Sequence, residues 1–233
     1  MINLDQRSTE LEIMDLPNPP SEAIRLAVKE IEKINVLLGG FNQSLQDISR
    51  FNPEKHTLSI QDWGCGSGDL LRKIRKWGEE RSYHLDLTGM DLDRETIFYA
   101  NENTADPSIK WECRDVLSGE IPDKSADLVI SCLFTHHFVD EDWIRLIREM
   151  IRVSKKGVII NDLHRHPLAY YSIGILTRWF AKSYMVRNDA PLSVAKGFTR
   201  KELISLLKKA GVATYSLQWK WAFRWSLVIY TSE

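Results

Sequence analysis

Through the middle of the chain, short apolar runs alternate with segments of helical period. Strands are predicted at 58–62 (LSIQD), 84–91 (HLDLTGMD), 109–113, 126–132 (ADLVISC) and 157–162 (GVIIND). Between them lie helical patterns. One starts at Asp69 with Leu70, Leu71, Ile74 and Trp77 on one face, another runs from Arg94 to about Glu102, and a third covers 140–153. Strand and helix in strict alternation predict an α/β fold, a parallel sheet covered on both faces. Ligands of such sheets bind at the carboxyl ends of the strands.

The flanks differ from this core. Residues 1–16 are polar and expected to be mobile, and the prolines of 17–20 (PNPP) break any helix there. Ser21 is expected to cap a helix with Ile24, Ala27, Val28, Ile31, Ile34 and Leu38 on its apolar face. Gly39-Gly40 ends it, and a second short helix is expected over Phe41–Phe51. Residues 1–55 thus form an N-terminal helical extension, which either covers the site or pads the sheet edge, and 56–233 form the main domain. After Asp162 some 35 residues, His164 to Phe198, interrupt the alternation. They are too long for a plain loop and predict a helical lid insertion at 164–198. Its apolar stretch, Leu168–Ala181, suits a buried or interfacial helix and is short of the ~20 residues that span a bilayer. Thr199 with Glu202 reads as a capping box, Phe198 with Leu203 as a hydrophobic staple, and Gly211 as the helix stop. The remainder, 212–231, reads as two strands with a turn near Ala222.

A chain of 233 residues with formal net charge -1 has the bulk of an ordinary core and no electrostatic footprint for nucleic acid. Cys65, Cys113 and Cys132 are sparse and lack metal-ligand spacing, so neither a disulfide nor a bound metal is expected. With no apolar signal core at the N-terminus, the expected location is cytoplasmic.

The chemistry centres on Leu58–Leu71, LSIQDWGCGSGDLL. A strand ends near Asp62, and Gly64, Gly66 and Gly68 follow at alternate positions before a helix starts. Such a turn brings the backbone close to a ligand and leaves amides at the helix start to bond it. The dinucleotide fingerprint fails at Asp69, where a small residue is needed. The spacing acid-x-Gly-x-Gly-x-Gly instead resembles motif I of the class I S-adenosylmethionine (SAM) methyltransferases. That resemblance implies SAM as cofactor, with the turn (Gly64, Cys65, Gly66, Gly68) around its methionine part and Asp62 holding the ammonium end. Asp91, with Leu92 beside it, stands where an acid accepts both ribose hydroxyls, although capping the next helix is an alternative that Asp93 could serve equally. Asp115-Val116 matches the adenine position, and Cys132 and Leu133 end the fourth strand beside the cofactor. The resemblance spans 58–162 and implies a Rossmann-like, doubly wound, seven-stranded sheet with one antiparallel strand.

Leu133-Phe134-Thr135-His136-His137-Phe138 resembles the LHH loop of the small-molecule branch that includes ubiquinone and menaquinone biosynthesis enzymes. LLGG at 37–40, NDLHRH at 161–166 and GFTRKEL at 197–203 look like bacterial relatives associated with aromatic polyketide pathways. The implied acceptor is a small aromatic or lipid-like molecule methylated on a hydroxyl, with no nucleic-acid partner and no stable membrane insertion. A phenol of pKa ~10 is scarcely ionised at pH 7, so a base would help. The candidates are His136 and His137, with His164 and His166 behind them. A carbon- or carboxyl-directed enzyme is an alternative, as is a non-catalytic SAM-binding module whose site is plugged by Phe134 or Tyr170. A nicotinamide enzyme is argued against by Asp69. DNA methylation is set aside because SCLFTHH, rather than an acid/amide-Pro-Pro-aromatic turn, follows the fourth strand, and Cys132 follows Ser131 rather than a proline.

Overall fold

The computed structural model describes residues 4–16, 20–51 and 57–231. Most of the PNPP breaker therefore lies outside the described residues. Helices α1 (Ser21–Leu37) and α2 (Gly40–Ile48) precede β1 (Thr57–Trp63), α3 (Asp69–Glu79), β2 (His84–Asp91), α4 (Arg94–Glu102) and β3 (Ile109–Cys113). Then come β4 (Ala126–Cys132), α5 (Asp140–Val153), β5 (Ser154–Leu163), α6 (Pro167–Phe180) and α7 (Tyr184–Lys196). The chain closes with α8 (Arg200–Ala210), β6 (Tyr215–Lys220) and β7 (Arg224–Tyr230).

The seven strands lie in the order β3-β2-β1-β4-β5-β7-β6, and β7 runs antiparallel to both neighbours. Order reverses between β1 and β4, so the carboxyl ends of those two strands form the crevice of a doubly wound sheet. Alternation along the strands feeds two cores. Leu58 and Ile60 of β1 and Leu128 and Ile130 of β4 face Leu71 and Ile74 of α3 on one side. Trp63 and Val129 join Trp143, Leu146, Phe198 and Leu203 on the other. Each such fully buried aliphatic side chain contributes about 1.5–3 kcal/mol.

The expected capping box is present: Thr199 Oγ1 accepts from the Glu202 amide and a Glu202 carboxylate oxygen accepts from the Thr199 amide. Gly211 ends α8 at φ 84°. Three expectations change. Pro20, not Ser21, occupies the cap position of α1, and no side chain caps it. β5 starts at Ser154, three residues early: Ser154 pairs with Ala126 ahead of a register shift in which two steps on β4 (Ala126 to Leu128) face three on β5 (Ser154 to Gly157). Residues 4–16, expected to be mobile, form a strap with only a short 3-10 turn at Ile13–Asp15. The strap is held by Ser8 N to Ala195 O (3.1 Å) and by the Ile13 and Met14 amides on the Asp189 carboxylate (2.9 and 3.1 Å). Arg7 fastens it further, donating to the carbonyls of Lys196, His136 and Phe138. A run of polar letters gave no sign of these long-range bonds.

The two helices of the extension pack in different places. α2 lies on β5 and β7, whereas α1 bridges α4 and α7 beside the crevice. Residues 164–198 do form two helices. α7 packs against the strap and the turn after β4, and α6 rests on α7.

Candidate active site

After β1 the chain turns through Gly64, Gly66 and Gly68 at φ 70°, 53° and 75°. The Gly64 and Cys65 amides donate to Met90 O (2.8 and 3.0 Å), tying the turn to the end of β2. A side chain at Gly64 would overlap the Phe134 ring, and one at Gly66 would project into open space. Gly66 therefore keeps backbone, rather than a side chain, at the mouth of the turn.

Three carboxylates surround this turn. Asp62 is 2% exposed, and its Oδ1 has no hydrogen-bond partner. Burial, then the charges of Asp69 and Asp91, push its pKa well above the carboxylate range. Asp69, at the start of α3, is raised to about 6 by burial and by Glu32. Asp91 is raised by burial too, although its Oδ2 accepts from the Gly66 amide (3.1 Å) and its Oδ1 from the Asp93 amide (3.1 Å). Asp93 is the residue that caps α4, accepting from Thr96 N at 2.7 Å, so Asp91 is not used as the cap. The nearby Arg72 guanidinium is spent on Ser67 O and Glu32. The turn thus gathers acids whose charged forms are disfavoured, which a cationic ligand would relieve and a pyrophosphate would worsen. An orphaned, buried carboxylate oxygen fits the ammonium end of SAM.

The other cofactor candidates sit around this centre. Val116 is buried in the core, while the Asp115 carboxylate is exposed and accepts from Leu117 N (2.9 Å). Leu92 is 71% exposed at the mouth of β2. Cys65 is buried with its thiol pushed up by burial, and burial pushes the Cys132 thiol to about 12. Both are inert thiols that act by packing. Leu133 turns the chain off β4 at φ 54°, its amide donating to Asn161 O (2.8 Å).

Next comes the histidine turn, Thr135–His137. His136 is buried, with Nδ1 2.6 Å from Asp162 Oδ1 at the end of β5. Thr135 Oγ1 and the His136 amide donate to Asp162 Oδ2 (2.7 and 3.1 Å), and Trp143 Nε1 donates to Thr135 Oγ1 (3.2 Å). Burial opposes the Asp162 charge, but His136 and these donors outweigh it and hold the pKa at about 2. Asp162 is therefore ionised and accepts, so His136 Nδ1 carries the proton and Nε2 faces the strap. That Nε2 has no hydrogen-bond partner and lies 3.9 Å from Glu12 Oε1. His137 Nδ1 is 3.0 Å from Asp15 Oδ2. Burial would lower the His137 pKa, but Asp15 and Glu12 raise it overall. The Phe134 ring, pressed on Gly64, lies 6.4 Å from the His137 ring and links the glycine turn to this cluster.

Glu12, Asp15, Asp162 and Lys196 are site residues that the sequence reading did not single out. Asp162 carried a readable signal, an acid at a strand's carboxyl end like Asp91. Glu12 and Asp15 were hidden by their polar surroundings. Ring nitrogens of His136 and His137 and a Glu12 oxygen lie within 4.8 Å of one another, a spacing that could hold a metal ion. The Lys196 ammonium, 3.4 Å from Glu12 Oε1 and 3.5 Å from Asp15 Oδ2, already supplies the positive charge there. His164 and His166 are engaged elsewhere. His164 Nδ1 accepts from Trp219 Nε1 (3.1 Å), and His166 caps α6 and stacks on Phe223 (5.2 Å between centroids).

Residues 60–157 match the model of a family described as "Methyltransferase domain". An uncharacterized methyltransferase of Mycobacterium tuberculosis is 29% identical over 84 residues, which is 36% of this chain and 40% of that protein. The chain therefore matches about two-fifths of the length of that relative. Among solved structures, human N-acetylserotonin methyltransferase in complex with SAM superposes with TM-score 0.66 at 15% identity, covering 97% of this chain and 60% of that one. A putative SAM-dependent methyltransferase from Methanococcus maripaludis gives TM-score 0.63 at 16% identity, covering 94% and 98%. Residues 60–157 are thus similar to a methyltransferase domain, and the chain shares the Rossmann-like fold of these solved neighbours.

Proposed function

We propose that the protein transfers a methyl group from SAM to the hydroxyl of a small aromatic or lipid-like acceptor. The observation that carries this reading is the acid-lined glycine turn, with the orphaned Asp62 oxygen, standing one aromatic ring away from a histidine cluster. Asp91 would hold the ribose hydroxyls, Asp62 the ammonium group, and the amides of the glycine turn the remainder of the methionine part. Asp115, Val116 and Leu92 would border the adenine, with Cys65, Cys132 and Leu133 shaping the floor. Bound there, SAM supplies an electrophilic methyl on a sulfonium. The chain's own part is alignment, exclusion of water and acceptance of a proton.

Of the two loop histidines, His137 is the better placed to take that proton. Its side chain is 26% exposed against 2% for His136, and Asp15 holds Nδ1 and leaves Nε2 to the acceptor. His136 with Asp162 then acts as the strut that fixes the loop. The strap and α7 would close over the acceptor as the cover that the 1–55 and 164–198 segments were expected to provide.

The match to a methyltransferase domain, the fold and the acids of the turn support SAM, and a formal net charge of -1 does not favour a nucleic-acid acceptor. A second reading, a SAM-binding module without turnover, draws on Phe134, whose ring covers the turn at Gly64. Calorimetry should show binding of SAM and S-adenosylhomocysteine and none comparable of NAD. Mass spectrometry of a panel of hydroxylated aromatics incubated with SAM then decides between enzyme and module. A methylated product supports the enzyme. SAM binding with no product from any phenol, carboxylate or carbon acceptor supports the module.

A further inference from the structure

α6 is an apolar helix with its apolar side turned outward. Ala169 and Thr177 are buried on the α7 side, while Leu168, Tyr171, Ile175 and Trp179 are 66%, 53%, 62% and 79% exposed. At ~100° per residue these four form a single stripe along the helix. Phe180 extends it at 79% exposure, and Phe223, stacked on the His166 cap, brings the β6–β7 turn with Trp221 (73% exposed) to the other end. A contiguous apolar surface of this kind marks a docking face.

Charge says what docks. The 26 residues from Leu163 to Asn188 contain no Asp or Glu, in a chain whose formal net charge is -1. Arg178, beside Trp179, Lys182, just beyond the helix, and Arg187, near the start of α7, are exposed. Glu30, reaching over from α1, accepts from the amides of Lys182 and Ser183 (2.8 and 3.0 Å) and so fixes this corner. Bulky aromatic and aliphatic side chains with cations at their edge are what an interfacial helix presents to lipid. A second copy of this chain, seated face to face by two-fold symmetry, would instead bring the same three cations together. No helix among the described residues is long and apolar enough to cross a membrane, so the contact is with its surface.

We infer that α6, with Trp179 and Phe180 leading, docks this protein on the surface of an anionic phospholipid bilayer. The inference stands on exposure and charge and does not depend on methyl transfer. Trp179 and Phe180 sink below the headgroups, and Arg178, Lys182 and Arg187 lie among the phosphates. α7, behind α6, then holds the strap and the histidine turn just above the bilayer.

The test is cosedimentation of the full chain with sucrose-loaded vesicles. It should pellet with mixed phosphatidylglycerol–phosphatidylcholine vesicles, stay in the supernatant with phosphatidylcholine alone, and be released by salt. Arg178→Gln with Lys182→Gln should weaken partition about fivefold per charge removed. Trp179→Ser with Phe180→Ser should weaken it at least about tenfold. All four side chains are exposed, so circular dichroism and the melting temperature should be those of the parent. Absence of binding to the anionic vesicles overturns the inference, and so does binding that Trp179→Ser with Phe180→Ser leaves intact. A dimer in sedimentation equilibrium that this pair converts to monomer also overturns it and assigns the face to a second copy.

Discussion

His136 Nδ1 lies 2.6 Å from Asp162 Oδ1, and both side chains are buried. Asp162 accepts from Thr135, from the His136 ring and amide, and from the Leu163 amide, so one carboxylate ties the turn after β4 to the end of β5. Its pKa of about 2 lies below the unfolded value near 3.9. A depressed acid stabilises the fold above the unfolded pKa, and that contribution, on the order of 2 kcal/mol, is lost as pH falls from about 4 to about 2. Asp162→Asn leaves the buried imidazole without its anion. It should cost about 3 kcal/mol or more in urea unfolding at pH 7 and flatten the acid limb. An unchanged acid limb would mean that this pair does not set the acid stability.

Asp69 titrates in the opposite sense. Its raised pKa of about 6 means that the ligand-free protein holds a proton there below pH 6 and loses stability as pH rises through that value. A cationic ligand favours the ionised carboxylates. SAM affinity should therefore climb as pH rises through about 6 and level off above about 7. S-Adenosylhomocysteine, which lacks the sulfonium charge, should show a shallower climb, and Asp69→Asn should remove most of it. Calorimetry across this range that is flat for both ligands would show that these acids do not face the cofactor.

Asp91 and Asp93 are two residues apart and do different work, which a pair of substitutions separates. Asp91→Ala should weaken SAM binding by about 1.5–3 kcal/mol, the loss of hydrogen bonds to a charged group. Asp93→Ala removes the cap on Thr96 N and should cost about 1 kcal/mol of stability while SAM affinity stays put. Equal effects on affinity from both would reduce Asp91 to a local strut.

Residues 58–162 were legible because each element there is local. Apolar strands, an acid at a strand's end and a helix starting after glycine depend on neighbours in sequence, and the five strands and α3 to α5 fell where periodicity puts them, apart from the early start of β5 at Ser154. The capping box at Thr199 is equally local. The strap was not legible, since Arg7 meets carbonyls about 130 to 190 residues away and Glu12 is buried by a helix near the far end of the chain. Helical period identified α6 as a buried or interfacial helix but gave no sign of which element lies over the histidine turn. α7, with little amphipathic pattern and Pro191 inside it, lies on the histidine turn, and the apolar α6 faces outward.

The strap itself can be tested apart from chemistry. Arg7→Ala removes bonds to three carbonyls and to Asp140, together with the guanidinium stacked 4.2 Å over Phe198. Amides of Ile13 and Met14 should then exchange hydrogen at least about tenfold faster, while the core strands β1 and β4 keep their protection. Unchanged exchange at Ile13 and Met14 would place the anchor of the strap at Asp189 instead.

The last prediction separates the two loop histidines. His137 is proposed as the base, and its pKa is raised by Asp15 and Glu12 against the pull of burial. A base acts in its neutral form, so turnover on a phenol should rise with pH through a value above the ordinary ~6.5. Asp15→Asn removes the leading cause of the raised pKa and should move that limb to lower pH. His137→Gln should cut turnover about 10²–10⁴-fold with SAM affinity nearly unchanged, and the deficit should shrink toward the phenol's own pKa, where solvent supplies the anion. His136→Gln should behave differently. It breaks the bond to Asp162, so loss of stability should accompany any loss of rate, and the acid limb should move with it. Should His137→Gln keep full turnover from pH 6 to 9, the proton goes elsewhere or leaves unassisted, and catalysis rests on alignment alone.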